Sequence, residues 1–242
     1  MNKPTDGFSA EIDSAKTTHL TEAVKTIAFS RSAAACGVAD ASLFGDAPLG
    51  FRPDDILKGA RAVVVVGLRT PRSVILEAAP TVYTRAVFHL DRVLDDIAYR
   101  MALFLEDKEY RAVPIPGRGL NMAAISDELR GDLSLKHAAA LAGLGEIAYN
   151  SLLLSPEFGN ALALSAVITD ASLSPDPPFT AGLCDNCGRC AEACPIKAIL
   201  GPANVDKERC RNYYRMYVDI YKESAGLYFC RECRKTCLAR GR

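Results

Sequence analysis

Eight of the nine cysteines in this 242-residue chain fall between Cys184 and Cys237. The first four form the run CDNCGRCAEACP, from Cys184 to Pro195, with the spacing C-x2-C-x2-C-x3-C-P. A short segment so rich in cysteine and loop residues buries too little apolar surface to fold alone. Disulfides would suit an exported protein, but the N-terminus MNKPTDGFSAEIDSAK lacks the apolar stretch of a signal peptide. The expected compartment is therefore cytoplasmic, where clustered thiols point to metal. Metal binding would then supply much of the folding free energy of this end of the chain.

The run has the spacing of a bacterial two-cluster iron–sulfur protein, in which the fourth cysteine ligates the other cluster. Cys194 thus needs partners elsewhere. Cys230, Cys233 and Cys237, in CRECRKTC, repeat the last three positions of the run. Cys210 supplies the missing first position, displaced upstream by RNYYRMYVDIYKESAGLYF. Crossing the halves gives Cys184, Cys187, Cys190 with Cys237, and Cys210, Cys230, Cys233 with Cys194. Thiolate suits the soft iron corners of a cubane. C-x2-C pairs also suit zinc, but three cysteines at two-residue spacing followed by Cys-Pro favour iron–sulfur. The expected cofactors are two [4Fe–4S] clusters, with IKAIL after Pro195 as a helix connecting their loops. The ninth cysteine, Cys36, reads as a small buried hydrophobe on an alanine-rich helix end.

Upstream, the pattern alternates between helix and strand. A helix is expected over 11–36, ending before Gly37. FRPDDILKGARAVVVVGL predicts a short helix and then a buried strand from Ala62 to Leu68. Val87, Leu90, Leu94, Ile97, Met101 and Leu105 form one face of a long amphipathic helix. RAVPIP and ALALSAVITD read as strands, and SLKHAAALAGLG as a helix with Ser134 as N-cap and Gly143 as its stop. No apolar run reaches 18 residues, so no membrane partner is expected. The proline-rich SLSPDPPFTAG marks a boundary between a core over 1–172 and a cysteine-rich module over 173–242.

The stretch SLKHAAALAGLGEIAYNSLLLSPEFGNALALSAVITDA, followed by that linker and the cysteine run, resembles the epoxyqueuosine reductase family. FRPDDILKGARAVVVVGL is similar to the family's segment before its first core strand, and the likeness extends from about Ala28 to Cys237. The resemblance implies an α+β fold, a nitroreductase/cobalamin-reductase-like core with a C-terminal two-cluster ferredoxin-like module. It also implies clusters that pass electrons to a corrinoid (cobalamin), which reduces an epoxide on a tRNA nucleoside; reductive dehalogenases are similar in plan.

The family's AGLGW-x-GK reads AGLGEIAYN here, with Glu146 for tryptophan, Ala148 for glycine and Asn150 for lysine. The family's proton-donor segment has no clear counterpart, Asp127 and Asp132 occupying its region. The sequence stops five residues after Cys237, short of the family's RNA-binding helical extension. On these departures tRNA is not expected as a partner. A redox protein, as electron donor or acceptor, and a corrinoid protein are.

Asp132 and His137 are the candidate catalytic residues, and Ser134, His137, Gly143, Gly145 and Asn150 the candidate cofactor contacts. Each has a plainer reading beside it. Asp132 suits a helix N-terminus, His137 a structural hydrogen bond, and the AGLG glycines a helix end with close backbone approach. Tyr213, Tyr214, Tyr217 and Tyr221 recur at helical spacing, either as a stacking face or as packing beside a cluster. Residues 201–242 carry ten Lys and Arg against five Asp and Glu, a charge that suits RNA, an acidic partner or a thiolate-bound cluster. Three functions stand open. One is a reductase with its own site in the core; another is an electron-transfer protein serving a corrinoid protein or enzyme, without a catalytic site. The third, resting only on the basic C-terminal end, is a structural iron–sulfur protein that binds RNA.

Overall fold

The strand AVVVVGLR, Ala62–Arg69 (β2), is buried along all but its last residue, because both of its faces are covered. In a computed structural model, residues 6–117, 131–180, 182–220 and 229–238 are described. β2 is central in a four-stranded antiparallel sheet of order β1-β2-β6-β3, with β1 at Ala35–Asp40, β3 at Ala112–Ile115 and β6 at Leu162–Thr169. Ala35 faces Gly67 across β1 and β2, and Ala62 faces Thr169 across β2 and β6.

Alternation along β2 divides its side chains between two helical layers. Val64, Val66 and Leu68 pack on Leu94, Ile97, Met101 and Leu105 of the long helix α4, Pro80–Glu106, and on Val24 and Ala28 of α1, Asp6–Ser30. Val63 and Val65 face Ala138 and Ala139 of α5, Leu135–Leu141. Fully burying one such valine or leucine contributes about 1.5–3 kcal/mol. Short helices α2, Pro53–Ile56, and α3, Arg72–Leu76, flank β2. The result is the expected α+β core. Among the described residues no helix is long and apolar enough to cross a membrane.

Two sequence expectations fail locally. The helix expected over 11–36 ends at Ser30, and Ala35–Asp40 is strand β1, so Cys36 lies on a strand and not on a helix end. Ser32 takes a left-handed φ of 68°, which breaks the helix, and Ala34 N–H bonds Gly67 O at 2.8 Å to start the ladder. The helix expected through IKAIL is also absent. Lys197 has φ 51°, and Ala198 N–H donates to Cys194 Sγ at 3.3 Å, not to the carbonyl a helix would use. Ile199–Gly201 (β7) then pairs with Asn204–Val205 (β8).

Candidate iron–sulfur site

The site begins on the core. Glu146–Ile147 (β4) and Leu153–Leu154 (β5) form a small hairpin directly after α5. A Cβ on Gly145, at φ 152°, would lie 2.2 Å from Leu154 O, so only glycine lets the hairpin close. A Cβ on Gly143 would meet Pro177 O at 2.7 Å, where the linker crosses the end of α5. Phe179 N–H bonds Ala140 O at 3.0 Å in the same crossing. The linker thus delivers Leu183 and Cys184 to the hairpin, where Glu146 Oε1 accepts both N–H groups, that of Leu183 at 2.8 Å. Tyr149 N–H, on the same hairpin, donates to Cys184 Sγ at 3.4 Å.

Left-handed Asn186 and Gly188 turn the chain into α6, Arg189–Glu192. Cys184, Cys187 and Cys190 therefore share one concave cradle with Ala148, Tyr149, Asn150, Leu154, Thr236 and Cys237. Cys237 comes from α8, Glu232–Leu238, which also carries Cys233. Cys210 sits on the first turn of α7, Lys207–Ile220, whose start is capped by Asp206 Oδ1 accepting Arg209 N–H at 2.8 Å. Cys210 and Cys230 lie close enough to Cys194 and to each other to interact electrostatically, and Cys233 does so with Cys210 and Cys230. Cys233 also packs against buried Cys190 and Cys194.

The segment 229–238 is fastened to the core. Phe229 N–H donates to Thr84 Oγ1 at 2.9 Å, and its ring lies 5.2 Å from that of Phe88. Arg231 donates to Val74 O at 2.8 Å and to Ala78 O, and stacks 4.9 Å from the Tyr83 ring centre. Asn150 Nδ2 donates to Cys233 O at 3.5 Å, Asn160 Nδ2 to Arg234 O at 3.3 Å, and Arg72 to Leu238 O.

Burial pushes the thiols of Cys190, Cys210 and Cys230 up, and that of Cys233 up to about 12, with neighbouring sulfurs adding to the effect. Metal binding must therefore expel protons here. A single zinc ion would need ligands at about 2.0–2.3 Å from one centre. A [4Fe–4S] cubane instead takes one thiolate at each of four corners, and four cysteines line the cradle.

The remaining candidates are scattered. Ser134 stands at the N-cap of α5 but its hydroxyl bonds His137 Nδ1 at 2.6 Å and caps no backbone N–H. His137 is exposed, its pKa lowered by desolvation and by Lys136 and Lys207. Asp132 is exposed before that helix. Asp127 and Tyr221 lie outside the described residues. Sequence reasoning missed two groups that position the site, Glu146 and Arg231. The only signal was Glu146 standing where the resembling family has tryptophan, and its hydrogen-bond partners lie 37 and 38 residues away.

Residues 177–200 match the 4Fe-4S binding domain family. The chain is 28% identical over 193 residues to the epoxyqueuosine reductase of Lactococcus garvieae, covering 77% of this chain and 54% of that one. The chain is thus similar in sequence to epoxyqueuosine reductases. It spans about half the length of the curated epoxyqueuosine reductases it matches. A solved epoxyqueuosine reductase with a tRNA-Tyr epoxyqueuosine-modified stem loop overlays 90% of this chain and 64% of its own, at TM-score 0.65 and 22% identity. A catabolic reductive dehalogenase in complex with 3-bromo-4-hydroxybenzoic acid overlays 91% of this chain and 32% of its own, at TM-score 0.71 and 21% identity. These overlays agree with the expected fold. The expectation that tRNA is not a partner is corrected, because an epoxyqueuosine reductase of this fold is seen holding a tRNA stem loop.

Proposed function

We propose that the chain is an iron–sulfur reductase in which two [4Fe–4S] clusters deliver single electrons to a site beside the core, with a modified tRNA nucleoside as substrate. The observation that carries this reading is the cradle of Cys184, Cys187, Cys190 and Cys237, walled by Tyr149 and Asn150 of the core hairpin. The donor set fits a cluster: four cysteines, apolar Ala148 and Leu154, and the Tyr149 N–H aimed at the Cys184 sulfur. For the second set, Cys194, Cys210, Cys230 and Cys233 supply the thiols, and Arg211 beside Cys210 buries a guanidinium nitrogen that has no partner among the described residues. Bound clusters would supply one-electron transfer at low potential, and the packing of Cys233 against Cys190 and Cys194 makes the two sets neighbours. The module 173–242 is read as a unit stapled to the core 1–172 through Arg231, Asn150 and Asn160.

A corrinoid finds less support in the residues assigned to it. Gly143 is covered by Pro177, Gly145 by Leu154, and Asn150 is bonded to Cys233 and Leu152. Of the five, only Ser134 and His137 remain exposed. The basic excess of residues 201–242 suits an RNA backbone. Anaerobic reconstitution, followed by reduction in the presence of an epoxyqueuosine-modified tRNA stem loop with and without cobalamin, tests the reading. Substrate turnover supports it. A protein that takes up iron and transfers electrons but neither binds nor reduces the stem loop is instead an electron carrier.

A further inference from the structure

We infer that Glu146 is a positioning residue for the first cluster, holding the Cys184 loop and setting that cluster's reduction potential by its charge. The inference rests on the reading that Cys184, Cys187, Cys190 and Cys237 hold a cluster. Glu146 Oε1 accepts the N–H groups of Leu183 and Cys184, so one carboxylate oxygen orients the backbone immediately before and at the first ligand. Three residues along the same hairpin, Tyr149 N–H points at the Cys184 sulfur from 3.4 Å. The first ligand is thereby gripped at its amide and at its sulfur by one element of the core. Charge-assisted hydrogen bonds of this kind are roughly twice as strong as neutral ones.

Two consequences separate the charge from the grip. A negative charge beside the cradle opposes the addition of an electron, so it lowers the reduction potential. An oxygen acceptor of the same shape keeps the loop in place whether or not it is charged. Glu146→Gln therefore retains the grip and removes the charge, while Glu146→Ala removes both.

The test uses the anaerobically reconstituted full chain, measuring iron content, the rate of iron loss to a chelator and a spectroscopic redox titration. Glu146→Gln is expected to keep its iron, with the first cluster's potential shifted to more positive values. Glu146→Ala is expected to lose iron several-fold faster than the parent protein, the loss falling on the cluster of Cys184. An unchanged potential in Glu146→Gln, or parental iron retention in Glu146→Ala, overturns the inference. Cys184→Ala is the control. If that variant keeps the full signal of the parent, the cluster assignment itself fails, which is a different outcome from a silent Glu146. Circular dichroism of Glu146→Gln confirms that the fold is intact, so its potential remains interpretable if Glu146→Ala does not fold.

Discussion

Asp176 and Val38 pair as if the linker were one more strand: Asp176 N–H donates to Val38 O at 2.8 Å, and Asp176 Oδ2 accepts Val38 N–H at 2.8 Å. Val38 lies on β1, an edge strand whose outer side the linker covers. Lys25 of α1 adds an ion pair to Asp176 Oδ1 at 2.8 Å, so three parts of the chain meet at one carboxylate. Asp176→Ala leaves the buried Val38 amide without its acceptor. The expected cost is about 1–3 kcal/mol in chemical or thermal unfolding. Asp176→Asn keeps an oxygen acceptor and should lose less than the alanine variant. Equal losses in the two would show that the ion pair, and not the amide contact, dominates.

Cys36 neighbours this same junction, and burial pushes its thiol up to about 12 from 9.0, with Lys25 opposing and Asp176 reinforcing the shift. Between those values the unfolded chain has released a proton that the folded chain keeps. Its contribution is fully present below 9.0 and is lost as the pH rises toward about 12. The expected slope from this group is a loss of about 1.4 kcal/mol per pH unit within that window. Unfolding curves of Cys36→Ala against the parent protein between neutral and alkaline pH measure it. Parallel curves would show that the thiol titrates normally in the fold.

Arg231 fastens the second group of cysteines to the core by two carbonyls, Val74 O and Ala78 O, and by the face of Tyr83. Arg231→Ala should loosen 229–238, with a stability loss of about 2–4 kcal/mol, since hydrogen bonds to a charged group are worth about 1.5–3 kcal/mol each. Arg231→Lys should rescue little, because an ammonium cannot span both carbonyls and stack on the ring as a planar fork does. Limited proteolysis and iron retention follow the loosening. Full rescue by lysine would reduce the residue to a simple positive charge.

Much of the fold was legible because burial obeys period. Val63 to Val66 are continuously apolar since both faces of β2 are covered, and Val87, Leu94, Ile97, Met101 and Leu105 repeat at helical spacing because only one face of α4 is. The stretch from Ala33 to Cys36 was not legible. Alanine is the best helix former, and only pairing with Gly67 and Val66 of β2, some thirty residues on, makes Ala35 and Cys36 the start of a strand. The helix through IKAIL failed for a chemical reason: the Ala198 amide bonds a cysteine sulfur, which a propensity argument does not contain.

In the site, spacing together with the crossed ligation of two-cluster ferredoxins put Cys184, Cys187, Cys190 and Cys237 into one group, and these four line one cradle. The role of Glu146 was hidden because its partners are backbone amides on a distant loop. Its replacement of tryptophan read as a loss of the family's motif and weighed against tRNA. The fold makes it a contact that holds the cysteine loop, so the substitution says nothing against RNA.

Crossed ligation is the central claim, and Cys237→Ala is its most direct test. The variant removes a thiolate from α8, far in sequence from the loop of Cys184, Cys187 and Cys190 that shares its cradle. Paramagnetic resonance and iron counting on the reduced, anaerobically reconstituted protein separate the two clusters. Cys237→Ala is predicted to abolish or convert the signal of the first cluster and to spare the one served by Cys194, Cys210, Cys230 and Cys233, with iron falling by up to about half. An intact first signal in Cys237→Ala, with damage confined to the second cluster, would contradict the crossing.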